Sequence, residues 1–176
     1  MIELTKILKR STATIEQKYF RIEIDGGNPK YRERVYCYEL YHQMRCRWPK
    51  DSQYCLNGEL DKASHPILKY LSTAQPKPDL LVHKPGDMNF NYAIIEIKKV
   101  GTQMRGIKKD LKTLDLFLRE YGYQRGIYLF YGDWANDLLV KKIQKVLCDL
   151  ENIPPVELWF HQNVGQPAIK ILTLQK

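Results

Sequence analysis

Apolar and polar positions fall into two patterns along this chain, one repeating every second residue and one every three to four. Ile2 to Lys9 carries Ile2, Leu4, Ile7 and Leu8 as apolar positions and predicts a short helix. Tyr19 to Asp25 alternates instead, with Phe20, Ile22 and Ile24 apolar and Arg21, Glu23 and Asp25 polar, which predicts an edge strand. Asp25-Gly26-Gly27-Asn28-Pro29 then predicts a turn. Tyr31 to Trp48 holds neither Gly nor Pro and stops at Pro49, so it predicts an aromatic-rich helix. Val35, Glu39, His42 and Cys46 share one face of that helix.

Gln53 to Lys62 predicts the first core strand. Leu56 and Leu60 bracket Gly58 on one face, and Asn57, Glu59 and Asp61 take the other. His65 to Leu71 reads as a helical turn or connector, and Ala74 to Pro78 as a Pro-rich lead into the next strand, Asp79 to His83. A turn-rich segment, Lys84 to Asn91, precedes the strand Tyr92 to Val100. Gly101 ends that strand. Gln103 to Tyr121 predicts a long helix with Met104, Ile107, Leu111, Leu114, Leu118 and Tyr121 as its apolar stripe. Gly126 to Tyr131 is a continuous apolar run, as a buried strand requires. Trp134 to Leu150 predicts another amphipathic helix, and Val156 to His161 with Ala168 to Leu174 predict a terminal strand pair.

This order predicts an α/β fold, a three-layer α/β/α sandwich with a mixed central sheet. Its core is αβββαβ, followed by a C-terminal helix and strand pair. Tyr92 to Tyr131 is expected to form a right-handed parallel crossover. A single domain spans 1–176, with an N-terminal extension over 1–30, a core over about 31–132 and the C-terminal helix and strands over 133–176.

The chemistry concentrates in Pro78 to Lys99. Asp79, Glu96 and Lys98 interrupt two apolar runs, Leu80 to Val82 and Ala93 to Ile97. Alternation puts Glu96 and Lys98 on one face of a strand that is apolar on both faces. Ionised side chains are costly there without a partner. The plainer account is a salt bridge between them; the sharper one is a divalent metal. Phosphodiester cleavage needs a hard cation held by carboxylate oxygens, and a second positive group near the attacking water. Asp79 and Glu96 are candidate ligands, the Ile97 carbonyl a candidate neutral ligand, and Lys98 the candidate cation. Glu59 is the better of the two acids on the first strand to join the metal shell. Asp61 lies near that strand's end and serves equally well to cap the next turn.

Pro78-Asp79 followed by Glu96-Ile97-Lys98 resembles the PD-(D/E)xK nuclease superfamily, which has the restriction-endonuclease-like fold. The resemblance covers roughly Tyr31 to Gly132. It implies Mg2+- or Mn2+-dependent hydrolysis of DNA or RNA, DNA more than RNA, by metal-activated water. It also implies an acidic residue on the first helix near the metal, a role for which Glu39 is the match. Basic groups on the helix after the third strand would meet nucleic acid, and Arg105, Lys108, Lys109 and Lys112 match that position loosely. Some exonuclease branches place a histidine ahead of the Pro-Asp motif, to which His42 or His65 compares. One branch adds an iron–sulfur cluster, with one cysteine before the core and three after. Here Cys37, Cys46 and Cys55 precede the motif and Cys148 follows, which departs from that pattern.

Composition narrows the picture further. A net charge of +8 suits a polyanionic partner, and also fits a plainly solvated basic surface. The cysteines form no Cys-x-x-Cys pair and read as reduced thiols. The absence of a membrane-length apolar run or a signal-peptide core predicts a soluble, cytoplasmic protein without membrane contact. Twelve tyrosines and three tryptophans offer stacking surfaces for unpaired bases, and their spacing selects none of them. The leading expectation is a metal-dependent nuclease. The alternative is a catalytically inactive nuclease-fold module that binds nucleic acid or assembles with protein, as a homodimer or with another partner.

Overall fold

The computed structural model describes residues 3–58 and 77–175. Glu59, Asp61 and His65 lie outside the described residues. The chain opens with α1 (Leu4–Thr12) and α2 (Gln17–Phe20), then a hairpin of β1 (Ile22–Ile24) and β2 (Gly27–Lys30). Next come α3 (Glu33–Cys46), β3 (Cys55–Gly58), β4 (Leu80–Lys84) and β5 (Asp87–Lys99). They are followed by α4 (Met104–Arg119), β6 (Arg125–Tyr131), α5 (Asp137–Cys148), β7 (Val156–His161) and β8 (Ile169–Leu174).

A six-stranded sheet runs β3-β4-β5-β6-β7-β8 in chain order. β5, β6 and β7 are parallel, because α4 and α5 carry the chain back between them. The outer pairs β3/β4, β4/β5 and β7/β8 are antiparallel. The central strands are apolar on both faces because both faces are covered. Ile107, Leu111, Leu114 and Phe117 of α4 pack with Leu139, Ile143 and Val146 of α5 over Leu81, Ile94, Tyr128 and Phe130. On the opposite face Leu4 and Leu8 of α1, Phe20 of α2, and Tyr36, Leu40 and Met44 of α3 meet Val82, Ile95, Ile97, Leu129 and Trp159. The fold is therefore the α/β sandwich with a mixed sheet that the apolar pattern predicts. Among the described residues no helix is long and apolar enough to cross a membrane.

Two local expectations change. The edge strand expected over Tyr19 to Asp25 begins as the helical turn α2, and its extended part pairs with β2 in a hairpin separate from the main sheet. Burial of Phe20 among the rings of Tyr31, Tyr36, Tyr131 and His161 overrides the alternating pattern. The turn-rich segment Lys84 to Asn91 shrinks to Pro85-Gly86, with Gly86 at φ 80, because β5 already begins at Asp87. The core face of α3 is Tyr36, Cys37, Leu40 and Met44. The stripe Val35, Glu39, His42 and Cys46 lies off that face, and His42 and Cys46 are exposed.

Gly132, just past β6, locks the edge at which the parallel strands end. Its φ is 122, and a Cβ there would stand 2.5 Å from Val100 Cγ2 and 3.2 Å from the Tyr31 ring. Gly132→Ala is expected to lower stability by about 2–4 kcal/mol, from backbone strain and overpacking together. An unchanged urea midpoint would contradict this account of the turn.

Candidate active site

The site follows from a mismatch in strand length. β5 has 13 residues and β4 has 5. β5 stays paired with β6 up to Lys99↔Tyr131, but its pairing with β4 reaches only Leu80↔Ile95. Asp79 is the next residue and stands across from Glu96. Past that point the β4 side of β5 has no ladder partner, so the Ile97 amide is free to donate to Asp79 Oδ2, at 2.7 Å. An extended residue turns its N–H and C=O to the same side, so the Ile97 carbonyl opens toward Asp79 as well.

Glu96 and Lys98 share the face that α4 covers. Glu96 is 5% exposed. Lys98 Nζ donates to Glu33 Oε1 at 2.7 Å and lies 3.3 Å from Asp110 Oδ2. Glu33 opens α3, and its other oxygen accepts from the Lys99 amide at 3.4 Å. Asp110, on α4, is 4% exposed and accepts a hydrogen bond from the Tyr128 hydroxyl at 3.0 Å. Tyr128 is the register neighbour of Glu96 on β6.

The titration behaviour shows what this grouping lacks. Burial, then repulsion from Asp79 and Asp110, pushes the Glu96 carboxyl well above the usual carboxylate range, against the pull of Lys98. Burial also raises Asp79, although the Ile97 amide and Lys98 oppose it. Asp79 and Glu96 are close enough to share a hydrogen bond. Burial raises Asp110 to about 6, against Lys98 and Tyr128. Burial disfavours the Lys98 ammonium, but Asp110 and Glu33 outweigh it and hold its pKa above the ordinary lysine value. Four carboxyl groups thus surround one ammonium, and the cluster is short of positive charge.

A divalent cation fits that deficit. Asp79 and Glu96 would hold it, with the Ile97 carbonyl as the neutral donor. Magnesium commonly takes one or two carboxylates and keeps several waters, which suits a two-carboxylate site. Among the described residues no group of three or more His, Cys, Asp or Glu side chains is gathered as a metal site. Glu39 does not join that pair, and Glu59 lies outside the described residues.

Of the sequence candidates, the structure brings together Asp79, Glu96, Ile97 and Lys98. It does not bring Glu39. That side chain is half-buried, accepts a hydrogen bond from Gln43 Nε2 at 2.7 Å, and acts electrostatically on Lys18 of α2. The acid that α3 delivers to Lys98 is Glu33, from its first turn, where a negative side chain also suits the helix dipole. Lys98 pairs with Glu33 and Asp110 rather than in the simple bridge to Glu96. Arg105, Lys109 and Lys112 are exposed on α4 and Lys108 is half-buried, while Asp110 turns inward.

Asp110 carried a signal that the sequence reading missed. It is a lone charge within the apolar stripe of Ile107, Leu111 and Leu114, the same kind of anomaly that marked Glu96. Two of the histidines are held within the fold: His83 contacts Asn57 Oδ1 at 3.0 Å, and His161 contacts the Tyr36 hydroxyl at 2.7 Å. Burial lowers His161 to about 4. Cys37, Cys46, Cys55 and Cys148 form no disulfide. Comparisons with protein-family models, curated proteins and solved structures return no match for this chain.

Proposed function

We propose that this chain is a metal-dependent nuclease that hydrolyses phosphodiester bonds in DNA or RNA. The observation that carries the reading is the carboxyl pair of half-buried Asp79 and buried Glu96, beside Lys98, at the end of β5 that β4 leaves open. Such a pair is costly to keep without a cation. The resemblance of Pro78-Asp79 and Glu96-Ile97-Lys98 to the PD-(D/E)xK superfamily supports the same chemistry. A bound Mg2+ or Mn2+ would polarise the phosphodiester and make water more acidic.

The remaining work falls to the chain. Asp79 and Glu96 bind the ion, and the Ile97 amide fixes the Asp79 carboxylate in place. The Lys98 ammonium, charged throughout the neutral range, orients the attacking water and balances negative charge developing on the phosphate. It is not a general base, because two carboxylates hold its proton. Glu33 and Asp110 set where that ammonium sits, and Tyr128 sets Asp110.

Purified protein is expected to cleave at least one of single-stranded DNA, duplex DNA and RNA when Mg2+ or Mn2+ is added, and none of them in EDTA. Intact substrates under all metal conditions would overturn the reading. Salt-dependent binding without cleavage would then favour the nuclease-fold binding module.

A further inference from the structure

Beside the site, the turn between β6 and α5 holds a large exposed indole on a fixed backbone. Trp134 is 73% exposed. Its neighbours are pinned: the Asp133 amide donates to the Tyr31 hydroxyl at 3.2 Å, and Arg21 lies 3.3 Å from Asp133 Oδ2. The Ala135 amide donates to the Gly132 carbonyl at 3.1 Å, and Gln162 Nε2 donates to the Ala135 carbonyl at 2.5 Å. The turn is therefore rigid, and the indole does not serve the core.

Its place ties it to the reacting end of the sheet. Lys99 pairs with Tyr131, and Trp134 follows three residues later on the same edge. Tyr31, which holds Asp133, lies two residues before Glu33, which holds Lys98.

A basic surface continues from it. On α4, Arg105, Lys109 and Lys112 are exposed at helical spacing. On α5, which packs beside α4, Leu138, Lys141 and Lys145 are exposed at the same spacing, with Asp137 as the acid of its first turn. Both helices start at the strand edge that carries Lys98 and Trp134. Trp134 and Leu138 expose an aromatic plane and one aliphatic side chain, and five cations against the single acid Asp137 continue from them along the two helices. A protein-docking patch carries few charges at its centre, whereas an aromatic plane beside a train of cations suits an unpaired polynucleotide.

We infer that Trp134 is a stacking platform for an unpaired base of a single-stranded nucleic acid, whose phosphates run along the basic outer face of α4 and α5. The inference rests on the nuclease reading in naming the substrate of that site, but its test does not need cleavage. In EDTA, fluorescein-labelled dT12 and rU12 strands are titrated by anisotropy against a duplex of the same length. Trp134→Ala is expected to weaken binding of the preferred single strand about tenfold or more, in line with base–aromatic stacking. Duplex binding should change less than twofold, and Trp134→Phe should keep most of the single-strand affinity. Lys109→Glu is expected to weaken both substrates and flatten the salt dependence.

The inference is overturned by equal single-strand affinity in Trp134→Ala and wild type, or by equal losses on both substrates. It is also overturned if sedimentation shows a wild-type dimer that Trp134→Ala dissociates, since the indole would then be covered by a second copy. Cleavage with no Trp134 effect removes this inference and leaves the nuclease reading intact. A Trp134 effect on binding with no cleavage does the reverse.

Discussion

Lys98→Met is expected to lower the cleavage rate about a hundredfold to a thousandfold at saturating metal, the scale seen when an electrostatic donor at a reacting centre is removed. Met keeps most of the volume and loses the charge. The ammonium lies 2.7 Å from Glu33 and 3.3 Å from Asp110, with its side chain 16% exposed, so no solvent ion replaces it in the same position. The variant should also lose about 3 kcal/mol of stability, because a partly buried pair is broken and Asp110 keeps its carboxylate without the counter-charge. Rates are therefore compared at a temperature where circular dichroism shows both proteins folded. Retention of more than about a tenth of the wild-type rate would remove Lys98 from the mechanism. A second pair of variants sharpens the geometry. Glu33→Gln should slow cleavage, since it releases Lys98, whereas Glu39→Gln should leave the rate near wild type. The reverse result would restore Glu39 as the helix acid and contradict the observed contact.

The strands and helices of the core were legible because their patterns agree with their surroundings. β6 is apolar throughout because helices cover both of its faces, and α4 and α5 carry stripes because each covers one. Asp79, Glu96 and Lys98 were legible for the opposite reason, as charges that break an apolar run. The helix acid was not. Helical periodicity says which residues of α3 share a face, but not which face meets the sheet. That rotation is set by Tyr36, whose ring stacks on Tyr131 at 3.8 Å, and by the edge contacts of Phe20 with both. Once Tyr36 and Leu40 point inward, Glu39 turns toward Gln43 and the opening residue of α3 reaches Lys98. A long-range ring contact decided the matter, and no local pattern encodes it. Asp110 is different, since its place in an apolar stripe was visible. Its meaning required the Tyr128 hydroxyl and Lys98, which arrive from two strands distant in sequence.

Glu96→Gln is expected to make the metal-free protein more stable at pH 8 by about 1–2 kcal/mol while abolishing cleavage, the trade-off typical of a residue kept for function. The sign follows from linkage. Glu96 has a folded pKa well above its ordinary value, so the folded state holds its proton more tightly than the unfolded chain does. The stability this proton brings is complete below the unfolded pKa and is lost as pH rises through the folded one. Asp110, raised to about 6, acts in the same direction across the interval from its ordinary value of 3.8. The contribution of these groups should therefore fall as pH rises from about 4 through 6 and beyond. Glutamine removes the Glu96 share, because it neither ionises nor repels Asp79. Urea midpoints at pH 5 and pH 8 should lie closer together in Glu96→Gln than in wild type, with most of the gain at pH 8. A divalent cation offers wild type the same relief by another route: at a hundredfold excess over its Kd it should add about 2.7 kcal/mol at pH 8. Glu96→Gln, having lost half of the carboxyl pair, should respond far less. A variant less stable than wild type at pH 8, or equally stabilised by Mg2+, would mean that Glu96 is held for structure and that the cation site lies elsewhere.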